Sequence, residues 1–286
     1  MSALALVLVL SAAVAHATWN IVAHGSSRSG IPFLWCGAVA SALIWGCVVP
    51  FTGGIGDSIP GFLIGVGVSG ILHVVYMLVL QRGYREGNLS TVYATARGTG
   101  PFLAVIAAVV LLGERPSWPA LAGVLAVIGG VVALGLVDRA PVAHRRGVDP
   151  AIVFGLLTGV MIATYTIWDA HAVRTWSVNP VAYMVGTCVV EVVVYTVLLR
   201  RRRAETVDLA RNGWRRILVF AVLSPLSYIL VLQAITLAPV ALVAPLRELS
   251  VVLVSLFGAF VLREPRPVPR IAAAGVVVAG IVLLAV

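Results

Sequence analysis

Two arginines stand inside apolar runs, Arg97 and Arg247. A guanidinium in hydrocarbon is costly unless it snorkels, pairs or faces water, so both are candidates for a polar path that favours an anionic or zwitterionic solute. The bland alternative is structural pairing with nearby acids or helix ends. Glu248 adjoins Arg247 but points about 100° away around a helix, so adjacency alone does not make an ion pair. His16, Trp19 and Asn20 share one helix side by their spacing of three and four, and Tyr165, Trp168 and Asp169 do the same further along. Such a stripe can hydrogen-bond and stack around a solute, or cement helices to each other. His73 and Tyr76 sit three apart, with Tyr228 as a related aromatic, and Tyr93 lies one turn before Arg97. Histidine exchanges protons near neutral pH, although His73 also suits helix packing, and His171 falls near a helix end. Glu191 interrupts a run of valines. Asp169, Glu191 and Glu248 are therefore the carboxylates that could take a proton during a cycle, though facilitated exchange needs none.

Other chemistries find little support. No His/Cys cluster has metal-site spacing, no phosphate-binding loop follows a strand, and Gly53-Gly54-Ile55-Gly56 reads as a turn, so no cofactor is expected. Cys36, Cys47 and Cys188 all fall in apolar runs and read as buried small hydrophobes. Glu114 and Glu264 are read as organisers of the loops before two helices. Gly123, Gly129, Gly130, Gly135, Gly275 and Gly280 suit close helix packing.

The elements that must carry these residues follow from composition. The chain has 286 residues, 60% hydrophobic and 11% charged, with a mean hydropathy of +1.06. Soluble domains are about 25% charged, so an all-α polytopic membrane protein is expected instead. Apolar runs lie at 3–24, 32–51, 60–81, 88–112, 118–137, 151–170, 180–199, 215–236, 238–262 and 269–286, which predicts ten transmembrane helices. Barrel strands are only about 10 residues long and alternate in polarity, which excludes an outer-membrane barrel. Residues 1–24 lack a basic start and exceed a signal core, so a retained first helix is expected over a cleaved leader.

The chain is also duplicated. An offset of 150 aligns Arg97 with Arg247, Glu114 with Glu264, Pro119 with Pro269 and Gly130 with Gly280. Offsets of 149 and 152 align His16, Trp19 and Asn20 with Tyr165, Trp168 and Asp169, and Tyr76 and Gln81 with Tyr228 and Gln233. Five spans per repeat is an odd number, so the second repeat must run inverted, the arrangement of many secondary transporters.

The net charge of +9 comes from twenty arginines without a lysine, a bias for which composition gives no physical reason. Sixteen of them fall in the loops after odd-numbered spans and two in the opposite loops, which places those loops in the cytoplasm of an inner-membrane protein and both termini outside. Charge so distributed marks topology, not nucleic-acid binding. The run at 200–203 could also touch anionic headgroups.

With this duplication, the Trp19-Asn20 and Trp168-Asp169 pairs, and the Glu114-Arg115-Pro116 and Glu264-Pro265-Arg266 turns, the chain resembles an EamA-type member of the drug/metabolite transporter superfamily. The resemblance covers two five-helix units, 3–137 and 151–286, and implies a carrier, not an enzyme, that exports or exchanges small metabolites, amino acids or drugs through a path lined by the earlier helices of each repeat. It also implies a glutamate before the last helix of each repeat; in the second turn the proline has moved by one. A membrane assembly protein that buries its charges without an access route is the alternative. The expected partners are a small-molecule substrate and the bilayer, with proton coupling as a candidate drive; no spacing sets an oligomeric state.

Overall fold

The computed structural model describes residues 1–22, 30–87, 89–137, 149–199, 202–261 and 267–285. Its helices are α1 (Ala3–Val22), α2 (Ile31–Gly46), α3 (Ile59–Glu86), α4 (Leu89–Leu111), α5 (Trp118–Val137), α6 (Pro150–Thr175), α7 (Pro180–Leu199), α8 (Arg203–Asn212), α9 (Trp214–Leu237), α10 (Val240–Leu246), α11 (Leu249–Phe260) and α12 (Pro267–Ala285). The chain is an all-α polytopic membrane protein. Among the described residues nine helical stretches, α10 and α11 counted as one, are long and apolar enough to cross a bilayer, and α12 carries a shorter apolar stretch, Val268–Leu284. Leu63, Val110, Leu125 and Val193 are each more than half exposed on the bundle's perimeter, as a surface facing lipid requires.

Local chemistry starts the helices where the runs begin. Ser58 accepts the Gly61 N–H at 3.0 Å before α3, and Asp149 accepts the Ala151 N–H at 2.9 Å before α6. Asn179 caps α7 through the Val181 and Ala182 N–H groups and donates to the Thr52 carbonyl, so the turn after α2 is tied to the start of α7. Gly56 completes that tie: its φ is +93°, and a Cβ there would stand 2.3 Å from the Ser177 carbonyl oxygen.

The helices pair in a reciprocal pattern. α3 packs on α6 as α9 packs on α1; α3 on α7 as α9 on α2; α4 on α6 as α11 on α1; and α4 on α5 as α11 on α12, while α2 meets α7 and α5 meets α12. The last contact is close: a Cβ on Gly123 would lie 2.8 Å from the Gly280 oxygen, and one on Gly280 would lie 2.8 Å from the Gly123 oxygen.

Several expectations change. The run 238–262 is not one helix. Pro245 lacks the N–H that would continue the ladder, and the turn tightens to three-residue bonds, Glu248 N–H to Pro245, Ser250 N–H to Arg247 and Val251 N–H to Glu248, so Arg247 and Glu248 occupy a break between α10 and α11. The basic loop after α7 contains the helix α8, whose Glu205 pairs with Arg202. Cys36 and Cys188 are buried, but Cys47 is exposed because α2 ends beside it. Gly129 and Gly275 face open space and pack nothing. Glu264 and the loop arginines Arg28, Arg139, Arg145, Arg146, Arg200, Arg201, Arg263 and Arg266 lie outside the described residues.

Candidate functional site

Seven membrane elements deliver polar side chains to the middle of the bundle. α4 contributes Arg97, 6% exposed, with the Tyr93 ring centroid 5.3 Å from its guanidinium carbon. One guanidinium nitrogen donates to Glu248 at 3.3 Å and the other to His16 Nε2 at 2.7 Å. Guanidinium has only donors, so His16 accepts at Nε2 and carries its own proton on Nδ1. Arg97 thus joins α1, α4 and the α10–α11 break in one knot. The other carboxylate oxygen of Glu248, 1% exposed, has no described partner.

A second knot surrounds Asp169, which is fully buried on α6. Tyr183 of α7 donates to one of its oxygens at 2.7 Å, and Tyr228 of α9 donates to the other. Two phenols thus donate to a buried carboxylate that, among the described residues, forms no ion pair; Ser69 and His73 stand close by. Around them the His73 ring lies 4.3 Å from Tyr165 and 5.4 Å from Tyr228, Tyr76 stands 5.5 Å from Tyr165, and His73 Nδ1–H donates to the Ser69 carbonyl at 2.9 Å.

Arg247 connects the two knots. It donates to the Tyr165 hydroxyl at 3.3 Å, and its guanidinium carbon is 6.0 Å from the Tyr228 ring centroid. Arg97 and Arg247, matched in the sequence, are therefore chemically unequal: Arg97 holds an acid, while among the described residues Arg247 forms no ion pair.

The remaining sequence candidates stand apart. Trp19 packs edge-on against His16 and Phe220 at the margin of the cluster. Asn20 turns its amide back to the His16 carbonyl at 2.8 Å. Trp168 donates to the Gly65 carbonyl at 3.1 Å and packs on Trp176, which makes it a strut between α6 and α3. Glu191 is half-buried on α7 and enters none of the described hydrogen bonds. His171 meets Thr175 and Trp176 at the end of α6.

Tyr183 was missed by sequence reasoning, because a tyrosine in an apolar run reads as packing. The clamp around Glu114 was missed in its details. Its carboxylate accepts the Val240 and Ala241 N–H groups at the start of α10, both at 2.8 Å, and pairs with Arg174 at 2.6 Å; Arg174 also donates to the Ile235 and Ala238 carbonyls ending α9. The doubled acid before α5 and α12 was the available signal.

A crevice of about 430 Å³ opens between α4 and α5, lined by Thr91, Thr95, Gly98 and Leu125 among others, on a face of α4 turned away from Arg97. Between the arginines the tyrosine and histidine rings pack against one another instead. No group of three metal-ligating side chains stands together among the described residues.

Residues 149–286 match the model of the EamA-like transporter family. The chain carries an EamA-like domain. That family is one of transporters, and the EamA-like half supplies Tyr165, Asp169, Tyr183, Tyr228, Arg247 and Glu248 to the site, while the preceding half supplies His16, His73, Tyr76, Tyr93 and Arg97. A crystal structure described only as that of a protein shares the fold, with a TM-score of 0.75 at 17% identity over 99% of this chain and 96% of its own. No curated protein matches the chain.

Proposed function

We propose that the protein is a secondary carrier that moves a small polar or amphipathic metabolite across the inner membrane by alternating access. The observation that carries this reading is the buried cluster itself: two arginines, two carboxylates and a set of rings drawn from both halves to the centre of a membrane bundle. Polar groups so placed are expensive in hydrocarbon and mark solute paths.

The reciprocal helix contacts support ten spans arranged as two inverted repeats, 3–137 and 151–286, because exchanging each helix with its counterpart preserves the principal pairings. The discontinuity at Arg247 and Glu248 fits the broken helices that line midplane sites. The arginine distribution supports cytoplasmic odd-numbered loops and termini outside. Asp169, Glu191 and Glu248 are the carboxylates through which protons would couple.

The test is a thermal-stability screen of purified protein against chemically varied metabolites, followed by flux into sealed liposomes with and without a pH gradient. A solute that stabilises the protein and crosses only protein-containing vesicles establishes the carrier, and gradient-driven accumulation establishes coupling. A folded protein that moves nothing across a broad panel turns the reading toward an assembly role.

A further inference from the structure

We propose that Arg247 is the docking point for the carboxylate of a monoanionic solute, an inference that rests on the carrier reading and names its substrate class. Charge decides between the two arginines. Arg97 has an acid and an imidazole on its guanidinium nitrogens, whereas Arg247, 8% exposed, has among the described residues one hydrogen bond, to a neutral phenol at 3.3 Å. A guanidinium offers five donors in a planar fork that matches the two oxygens of a carboxylate. Most of that fork is unused.

The surroundings add to the same preference. Arg247 caps the end of α10, and only Glu248 separates it from α11, a helix of 12 residues whose N-terminal end favours negative charge. Ser250, 1% exposed and bonded through its N–H to the Arg247 carbonyl, has a buried hydroxyl without a described partner, a further donor for an anion. The Tyr228 face lies against the guanidinium and its hydroxyl is engaged on Asp169, so the aromatic wall is fixed in place.

The ion pairing limits the solute to one negative charge. Glu248 pairs with Arg97 and Asp169 accepts from two phenols, so among the described residues Arg247 is the cluster's guanidinium without an ion pair, and it offers a partner to one negative charge. A dianion would bring a second charge into the bundle without a partner. On binding, the carboxylate displaces the long Tyr165 hydroxyl contact and takes the fork in a bidentate pair.

The test uses purified full-length protein with acetate, lactate and benzoate, their neutral amides, and inorganic phosphate, at constant ionic strength. At least one carboxylate is expected to raise the melting temperature while its amide and phosphate do not. Arg247→Gln is expected to abolish the shift, and Arg247→Lys to weaken apparent affinity roughly ten- to hundredfold by losing the fork. Phenylglyoxal labelling of the wild-type protein, read by mass spectrometry on the peptide containing Arg247, gives a readout without any variant: the active carboxylate should protect that arginine. Amides as effective as carboxylates, an unchanged response in Arg247→Gln, or no carboxylate effect on either stability or labelling overturns the inference. Carboxylate binding without flux in liposomes would instead sink the carrier reading and leave this one standing. Flux of a neutral or cationic solute without any carboxylate effect would do the reverse.

Discussion

Arg97 and Glu248 are each more than nine-tenths buried and depend on one another. Removing one partner of a buried ion pair leaves a stranded charge, so Glu248→Gln is expected to cost about 3–5 kcal/mol. Arg97→Gln combined with Glu248→Gln should cost less than the two single changes added together, because neither charge is then left alone. Thermal unfolding of the four proteins in one detergent measures this, and simple additivity would show that the pair is not coupled. The sequence made both residues visible, since any charge in an apolar run asks for a partner. It did not reveal which partner, because Glu248 finds its cation 151 residues away and not in its neighbour. Tyr183 was hidden for the same reason: its hydroxyl acquires a role only when α7 is laid beside Asp169.

Helices were legible wherever apolar length alone defines them, and illegible where a backbone detail does. The run 238–262 is evenly apolar, so hydropathy passes over the Pro245 break. The α8 helix is short and rich in charge, and therefore read as loop. At its start Glu205 accepts from Arg202, which holds its carboxyl below the ordinary glutamate value. A lowered value means the pair stabilises above the unfolded pKa and is lost as pH falls through the folded one. The protection of the α8 amides, taken as hydrogen exchange relative to its intrinsic rate at each pH, should therefore fall below about pH 4, and Glu205→Gln should remove that pH dependence. At the α5–α12 contact, Gly123 and Gly280 allow backbones to meet where no side chain fits. Gly280→Leu should lower stability by about 1–3 kcal/mol, seen as a lower melting temperature, whereas Gly275→Ala, facing open space, should not.

The two halves are held together by the central cluster and by the Glu114 clamp, which fastens the turn after α4, the end of α6 and the α9–α10 junction. Polar positions that match at an offset of 150 were the signal for this scale in the sequence, because such matches constrain a whole bundle more than any single run does. Orientation is testable with a native probe. Cys47 is exposed near the end of α2, on the side away from the arginine-rich loops, while Cys36 and Cys188 are buried. A membrane-impermeant maleimide should label Cys47 in intact cells and leave Cys36 and Cys188 unmodified. Labelling that appears only after permeabilisation would reverse the proposed topology.

In a bundle built as the proposed inverted repeat, perfect duplication would make the inward-open and outward-open forms mirror each other and share one energy. Gly98 stands where the second half has Glu248. Glu248, bonded across the halves to Arg97, would lift that degeneracy together with Asp169, which stands where the first half has Asn20, so the proposed carrier would have a preferred side on which to rest.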